Sequence, residues 1–307
     1  MQKVTIVGAG RVGESTAQFL ASQDIAREVV LLDIKEGQAE GAALDIQETA
    51  PLLEFDTRVK GSTDFAAMSG SDLIIVTAGI PRKPGMSRSD VLETNVKILD
   101  SIVVSVLEFA PEAMLMLVSN PVDVLTYRAW RQTGWPRNRV FGQAGVLDSS
   151  RMAAFIAMET GFSAKDISAM VLGGHGDAMV SLIRYTTVSG IGIDQFLDEQ
   201  QIERIVERTR NGGAEVLALR QTSSAYDAPA AAIVEMVDAI VRNRHSLLPV
   251  VAILDGEYGY DHAAMGVPCV LGENGVERVL EIELTEEERA QFDASLSGVL
   301  EDIKRLK

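Results

Sequence analysis

The chain has 307 residues, of which 47% are hydrophobic and 23% are charged, and its formal net charge at pH 7 is −16. This length and composition are typical of a globular protein with two closely packed domains. The negative charge disfavours binding to nucleic acid or anionic lipid, since both attract clusters of Lys and Arg. No apolar run approaches the ~20 residues that span a bilayer, so we expect no membrane association.

The N-terminus and the cysteine content favour a cytoplasmic protein. Residues 1–4 lead directly into a strand-like segment, without the pattern of a signal peptide. Cys269 is the single cysteine, so it has no disulfide partner in the chain and no second thiol for a Cys-based metal site. We therefore expect a cytoplasmic protein that binds small molecules and no metal.

The first half of the chain alternates apolar strands with helical patterns. The predicted strands are 4–7, 29–32, 73–76 and 115–118, and the predicted helices are 10–22, 38–48 and 89–109. Such alternation produces a parallel sheet with helices on both faces. We expect residues 1–141 to form a doubly wound α/β domain of the Rossmann type.

From about Phe141 the pattern changes to longer helices mixed with strands. The predicted helices are 149–160, 199–220, 229–243 and 285–307, and the predicted strands are 167–172, 181–188 and a hairpin within 267–284. Asn274 and Gly275 suit the turn of that hairpin, and Thr285 with Glu288 forms a capping box for the last helix. We expect residues 142–307 to form a second domain, of α+β type.

A glycine pattern joins the first predicted strand to the first helix. Its residues are Gly8, Ala9, Gly10, Arg11, Val12 and Gly13. In this context Gly8 makes the tight turn, Gly10 lets the backbone approach a pyrophosphate, and Gly13 lets helix and strand pack closely, with the phosphates at the helix N-terminus. A glycine-rich turn without a ligand is the alternative.

Asp33 strengthens the case for a dinucleotide. It ends the second predicted strand, 20 positions beyond Gly13, where a carboxylate can accept hydrogen bonds from the adenosine ribose. The same charge would repel the additional phosphate of NADP, and Lys35 is the only nearby cation to offset it. The sequence therefore predicts NAD as the cofactor.

Three further segments carry polar residues suited to catalysis. They are residues 80–88 (IPRKPGMSR), 143–151 (QAGVLDSSR) and 173–177 (GGHGD). Together they resemble the lactate/malate dehydrogenase family, and most closely its lactate-dehydrogenase-like malate dehydrogenases, across essentially the whole chain. The resemblance implies hydride transfer between NAD and C2 of a 2-hydroxy acid.

The resemblance also implies roles for individual residues. His175 matches the catalytic acid/base, and Asp148 matches the carboxylate that orients it and raises its pKa. Arg151 matches the arginine that grips the C1 carboxylate of the substrate, and an intrahelical ion pair is the alternative. Arg88 matches the mobile-loop arginine that binds substrate and polarises its C2 carbonyl.

Weaker expectations concern the junction after the fourth strand. By resemblance, Asn120 is shared by substrate and the nicotinamide ribose, although an ordinary Asn-Pro turn is the alternative reading of the dipeptide. Asn95, Val118 and Ser119 are cofactor contacts implied by the resemblance alone. Prolines and a glycine make 77–90 a poor helix or strand, so we expect this loop to close over substrate.

Arg82 distinguishes between substrates. A second carboxylate needs a second cation, and lactate-type members carry a neutral residue where this chain has Arg82. We therefore expect malate and oxaloacetate, with lactate or another 2-hydroxy acid as the alternative. A non-catalytic NAD-binding sensor is a further alternative, but it has no need of His175. The resemblance also implies a homo-oligomer, either a tetramer or a dimer.

Overall fold

The computed structural model describes residues 1–80, 88–176 and 178–305, without the side chains of 88–90. The helices in these ranges are α1 (Arg11–Ser22), α2 (Gln38–Glu48), α3 (Ala50–Leu53), α4 (Arg88–Phe109), α5 (Val122–Thr133), α6 (Gly145–Thr160), α7 (Glu199–Arg220), α8 (Asp227–Val241) and α9 (Glu286–Lys304). The strands are β1 (Lys3–Val7), β2 (Glu28–Leu32), β3 (Arg58–Ser62), β4 (Leu73–Val76), β5 (Met114–Leu117), β6 (Val140–Gly142), β7 (Ile167–Ser168), β8 (Val171–Gly173), β9 (Met179–Ser181), β10 (Thr187–Val188), β11 (Ile191–Gly192), β12 (Ser246–Asp255), β13 (Asp261–Gly272) and β14 (Gly275–Val279).

The first six strands form a parallel sheet in the order β3-β2-β1-β4-β5-β6. All four residues of β4, Leu-Ile-Ile-Val, are buried, as expected for a strand covered on both faces. The chain order reverses between β1 and β4, and ligands bind at such a switch point beyond the carboxyl ends of the strands. The predicted doubly wound α/β fold is confirmed.

The same sheet continues into the second half of the chain. Strand β12 pairs antiparallel with β6, and β13, β8 and β9 follow in that order, with β14 also paired to β13. A small antiparallel sheet, β11-β10-β7, lies apart from it. The boundary expected between residues 141 and 142 falls inside β6, and it stays a prediction.

Two strand predictions in the second half are wrong. The segment 181–188 is not one strand, because a 3-10 turn at Ile183–Tyr185 separates β9 from β10. Thr186 stabilises that turn, since its hydroxyl donates to the carbonyl of Leu182 at 2.9 Å. The segment 167–172 is also divided, and its two parts, β7 and β8, belong to different sheets.

Several strands and helix α5 were not predicted, or were predicted with the wrong length. Strand β6 has only three residues, and β3 is only partly buried and shows no continuous apolar run. Strands β12 and β13 are longer than the short strands expected there. Helix α5 was not predicted, although Pro121 stands directly before its first residue and proline is common at the start of helices.

Helix α9 packs its apolar face onto α5 and the strands of the second half. Phe292 and Leu296 are fully buried there, and Val299 nearly so. The predicted capping box is present, because Glu288 N donates to Thr285 Oγ1 at 3.2 Å and Thr285 N donates to the Glu288 carboxylate at 2.8 Å. None of the described helices has the length and apolar character needed to cross a bilayer.

Phe292→Ala tests the packing of α9. The ring is fully buried against Tyr258, with ring centroids 4.9 Å apart, so its removal leaves a cavity. We expect the free energy of unfolding to fall by about 3–5 kcal/mol, measured by denaturant titration. Leu219→Ala, at a side chain 77% exposed, is the control and should stay within about 0.5 kcal/mol of wild type. Equal losses in both variants would contradict this packing.

Candidate active site

The glycine pattern forms a tight turn between β1 and α1. Gly8 has φ +111°, and a Cβ there would lie 2.6 Å from the backbone nitrogen of Ala78, so no larger residue fits. A Cβ at Gly13 would lie 1.9 Å from the carbonyl oxygen of Gly8, which shows how closely the helix and the turn pack. Gly10 is different, because a Cβ there would meet nothing within 4 Å. The backbone at Gly10 is thus open to a ligand at the N-terminus of α1.

Asp33 lies directly beside this turn. Its Oδ2 accepts the backbone N–H of Ala9 at 2.9 Å, and its Oδ1 accepts that of Lys35 at 3.0 Å. Gln38 adds a third link, donating from Nε2 to the carbonyl of Ala9 at 3.1 Å. The carboxylate therefore fixes the glycine turn, in addition to any ligand it contacts.

Arg11 and Val12 complete the turn on opposite sides. Val12 is half-buried and packs on the core, whereas Arg11 is exposed. The Arg11 guanidinium lies 5.6 Å from the ring centroid of Tyr226, and Arg220 covers the same ring at 4.2 Å. Tyr226 directly precedes α8, so this stack connects the glycine turn with the second half of the chain.

Asn95 holds together the ends of β4 and β5. Its Oδ1 accepts the N–H of Ile80 at 2.8 Å, and its Nδ2 donates to the carbonyls of Ile80 and Asn120 at 3.2 and 2.7 Å. Ser119 also links the ends of these two strands, because its hydroxyl donates to the carbonyl of Ala78 at 2.6 Å. Val118 donates its N–H to the carbonyl of Val76 at 3.0 Å. Asn95 is thus occupied by backbone groups, while Asn120 is exposed.

His175, Asp148 and Arg151 come together beyond the carboxyl ends of the sheet. Asp148 lies in the first turn of α6, and its Oδ2 is 2.9 Å from His175 Nδ1. Its Oδ1 accepts a hydrogen bond from Arg151 Nη1 at 3.2 Å. The Asp148 side chain is 2% exposed, against 19% for His175 and 15% for Arg151. One buried carboxylate therefore orients two functional groups that keep some access to solvent.

Opposing effects set the pKa of His175. Burial alone would lower it, but the charge and hydrogen bond of Asp148 raise it, and the net pKa lies above the usual value. Asp123 raises the pKa further and Arg151 lowers it. Because Nδ1 faces Asp148, Nε2 is the ring atom left for proton exchange with a ligand.

Gly212 and Gly213 of α7 lie against the Arg151 side chain, and Gly212 is the closer of the two. A Cβ at Gly212 would lie 3.2 Å from Arg151 Cδ, and one at Gly213 would lie 3.9 Å from its Nη2. Burial lowers the pKa of the guanidinium, while Asp148 raises it, and the net shift is downward. The sequence analysis gave no role to these glycines, since their effect depends on how α7 packs against α6.

Asp123, on α5, is a second carboxylate at the site that the sequence analysis missed. Its Oδ2 accepts the backbone N–H of His175 at 3.1 Å, and the residue is only 4% exposed. An acidic residue directly after the Asn-Pro-Val sequence was the available signal, but it required α5 to be recognised as a helix.

Two predicted site residues cannot be placed. Arg82 lies outside the described residues, and so does the side chain of Arg88, whose backbone begins α4. Because residues 88–90 are helical, the expectation that the loop 77–90 lacks regular structure is wrong for its last three residues.

The fold and the site are those of a Rossmann-type dehydrogenase. The family model for the lactate/malate dehydrogenase NAD binding domain matches residues 2–142, and the model for the alpha/beta C-terminal domain of the same family matches residues 145–307. The chain belongs to the lactate/malate dehydrogenase family, and its cofactor is NAD.

Individual relatives agree with this assignment. A malate dehydrogenase of Thioalkalivibrio sulfidiphilus is 70% identical over the full length of both chains. The solved structure of malate dehydrogenase from Salinibacter ruber has a TM-score of 0.94 at 45% identity, covering 99% of this chain and 98% of that one. A lactate dehydrogenase from Cryptosporidium parvum, solved with lactic acid and NAD, has a TM-score of 0.95 at 39% identity, with the same coverage. Overall shape therefore does not separate the two substrates.

Asp33→Ser should narrow the preference for NADH over NADPH. The change removes the charge that repels the additional phosphate and the hydrogen bonds to the ribose. It also removes the link to Ala9, so KM for NADH should rise. The ratio of kcat/KM for the two cofactors measures the effect, and Asp45→Ser, on the exposed side of α2, is the control. An unchanged ratio would show that Asp33 does not contact the ribose.

Proposed function

We propose that this protein is an NAD-dependent malate dehydrogenase, which reversibly oxidises (S)-malate to oxaloacetate. The observation that carries the proposal is the joining of His175 and Arg151 through Asp148. An acid/base and a carboxylate-binding cation held by one buried group suit a substrate that has a hydroxyl beside a carboxylate. The 70% identity to a protein named malate dehydrogenase supports the same substrate.

The residues around the glycine turn fit NAD. The open backbone at Gly10 gives the pyrophosphate a place at the N-terminus of α1, and Gly8, Ala9, Arg11, Val12 and Gly13 shape that turn. Asp33 would bind the adenosine ribose. Asn120, Val118 and Ser119 would contact the nicotinamide end, with Asn95 acting through the backbone it holds. Bound there, NAD would supply the acceptor for the hydride that leaves C2 of malate.

His175 takes the hydroxyl proton of malate at Nε2. Asp148 holds the ring by Nδ1 and stabilises the imidazolium that results. The guanidinium of Arg151 donates one N–H to Asp148, and its further donors suit the C1 carboxylate. Arg88 would polarise the C2 carbonyl, and Arg82 would pair with the C4 carboxylate. In the reverse reaction His175 returns the proton.

A dehydrogenase of lactate or another 2-hydroxy acid is the second candidate, favoured by the similarity to the lactate dehydrogenase of Cryptosporidium parvum. A panel of oxaloacetate, pyruvate and longer 2-oxo acids, with NADH and NADPH, tests the proposal. We expect oxaloacetate with NADH to give the highest kcat/KM. A higher value for pyruvate would overturn the proposal, and NADH binding without turnover would indicate a sensor.

His175→Asn supplies the control for this panel. The variant should still bind NADH, because the described contacts of His175 are with Asp123 and Asp148 and not with the glycine turn. Its turnover of oxaloacetate should fall by about 10²–10⁴-fold, since a positioned acid/base typically contributes that much. Near-normal turnover would remove His175 from the mechanism.

Arg82→Gln tests the choice between malate and lactate. Leaving a desolvated carboxylate without its cation costs about 2–5 kcal/mol, so kcat/KM for oxaloacetate should fall roughly 30- to 4000-fold. Pyruvate should be used better, because its methyl group needs no cation. Both substrates are measured at saturating NADH. A parallel loss for both would mean that Arg82 only supports loop closure.

We further propose that the protein works in the cytoplasm, in the tricarboxylic acid cycle, and as a homo-oligomer. A homotetramer is our first expectation and a dimer the second. Light scattering of the purified protein distinguishes the two.

A further inference from the structure

Asp123 contacts the backbone of the loop 174–176, which carries His175, whereas Asp148 contacts the His175 ring. Asp123 belongs to the first turn of α5, and its Oδ2 accepts the backbone N–H of His175 at 3.1 Å. Its Oδ1 is buried and has no hydrogen-bond partner among the described residues. A buried, half-satisfied carboxylate costs free energy, so its position calls for a function.

A second contact holds the neighbouring amide of the same loop. Ser295, on α9, accepts the backbone N–H of Gly174 at 2.9 Å through its hydroxyl. A Cβ at Gly174 would lie 3.1 Å from Ser295 Oγ and 3.8 Å from Asp123 Oδ2. The two side chains therefore enclose the loop from two helices, but only one of them can carry charge.

The charges around His175 favour its protonated form. Asp148 and Arg151 face it from α6, and Asp123 faces it from α5. With both carboxylates ionised, these four groups are neutral in total only when His175 is an imidazolium. Burial raises the pKa of Asp123 to about 6, although the amide and the charge of His175 oppose that rise. The Asp123 carboxylate therefore becomes ionised as the pH rises above about 6.

We propose that Asp123 is a positioning residue for the proton transfer: its carboxylate fixes the His175 backbone, and its negative charge favours the imidazolium. Asp148 orients the ring through Nδ1, and Asp123 supplies a second negative charge close to the His175 backbone. The role in catalysis rests on the proposed function, but the effect on His175 does not.

Asp123→Asn separates the charge from the hydrogen bond. The amide oxygen of asparagine can still accept the His175 N–H, while the charge is lost. NMR titration of labelled histidine rings in the apoprotein measures the result, and the three histidines of the chain are assigned by the signal that disappears in His175→Asn. We expect the titration midpoint of His175 to move about one pH unit lower. An unchanged midpoint overturns the proposal, whatever the substrate of the enzyme.

Ser295→Ala is the matched control. It removes the hydrogen bond to Gly174 without a change of charge, so the midpoint should stay where it is in wild type. An equal shift in Ser295→Ala and Asp123→Asn would overturn the proposal, because displacement of the loop would then explain both.

The wild-type protein provides a test that does not depend on a variant. The backbone amide of His175 donates to Asp123, so its ¹⁵N shift should show a titration near pH 6 in addition to that of the ring. The absence of this second titration would overturn the ionisation assigned to Asp123.

The pH dependence of activity in Asp123→Asn tests whether the change in His175 affects catalysis. Malate oxidation needs neutral His175, so its acid limb should move to lower pH in Asp123→Asn by the amount seen for the ring. The alkaline limb of oxaloacetate reduction, which needs the imidazolium, should move the same way. Limbs that stay fixed while the ring midpoint shifts would overturn the catalytic role of Asp123 alone.

Discussion

The site depends on one carboxylate, that of Asp148, which is buried in the interior. A buried charge is stable only when hydrogen bonds and opposite charges replace the water it has lost. His175 and Arg151 provide these on its two oxygens, and the first turn of α6 adds the positive end of a helix dipole. Removal of either His175 or Arg151 would therefore destabilise the Asp148 carboxylate and weaken its contact with the remaining partner. The positions of the His175 ring and the Arg151 guanidinium are therefore physically coupled through Asp148.

The start of α6 is placed by close packing. A Cβ at Gly145 would lie 2.7 Å from the carbonyl oxygen of Val171 and 2.8 Å from Pro249, so α6 begins in direct contact with β8 and β12. Strand β8 leads to His175, which follows four residues after the contact of α6 at Val171. The carboxylate and the histidine it orients are thus fixed against the same strands, which keeps their separation constant.

The features predicted best from the sequence are helices, caps and turns, which depend on residues close together in the chain. The bounds of α2 and α7, the capping box of α9 and the glycine turn follow from spacing and capping alone, and they match the structure. The breaks inside 167–172 and 181–188 depend on which sheet each residue joins, and pairing between distant strands leaves no local signal. Asp123, Gly212 and Gly213 were missed for a different reason, since all three lie on helices. Their roles arise from helix packing, which a reading along the chain does not provide.

The continuity of the large sheet limits how the molecule can move and be divided. Strand β12 pairs with β6 at Val251 and Gly142, so a hinge between the two halves would have to break hydrogen bonds between neighbouring strands. Access for substrate must then come from segments outside the sheet. A fragment cut at the end of β6 would leave an unpaired strand edge, and exposed edges promote association with other chains. The two halves match separate family models, yet physically each one completes the other's sheet.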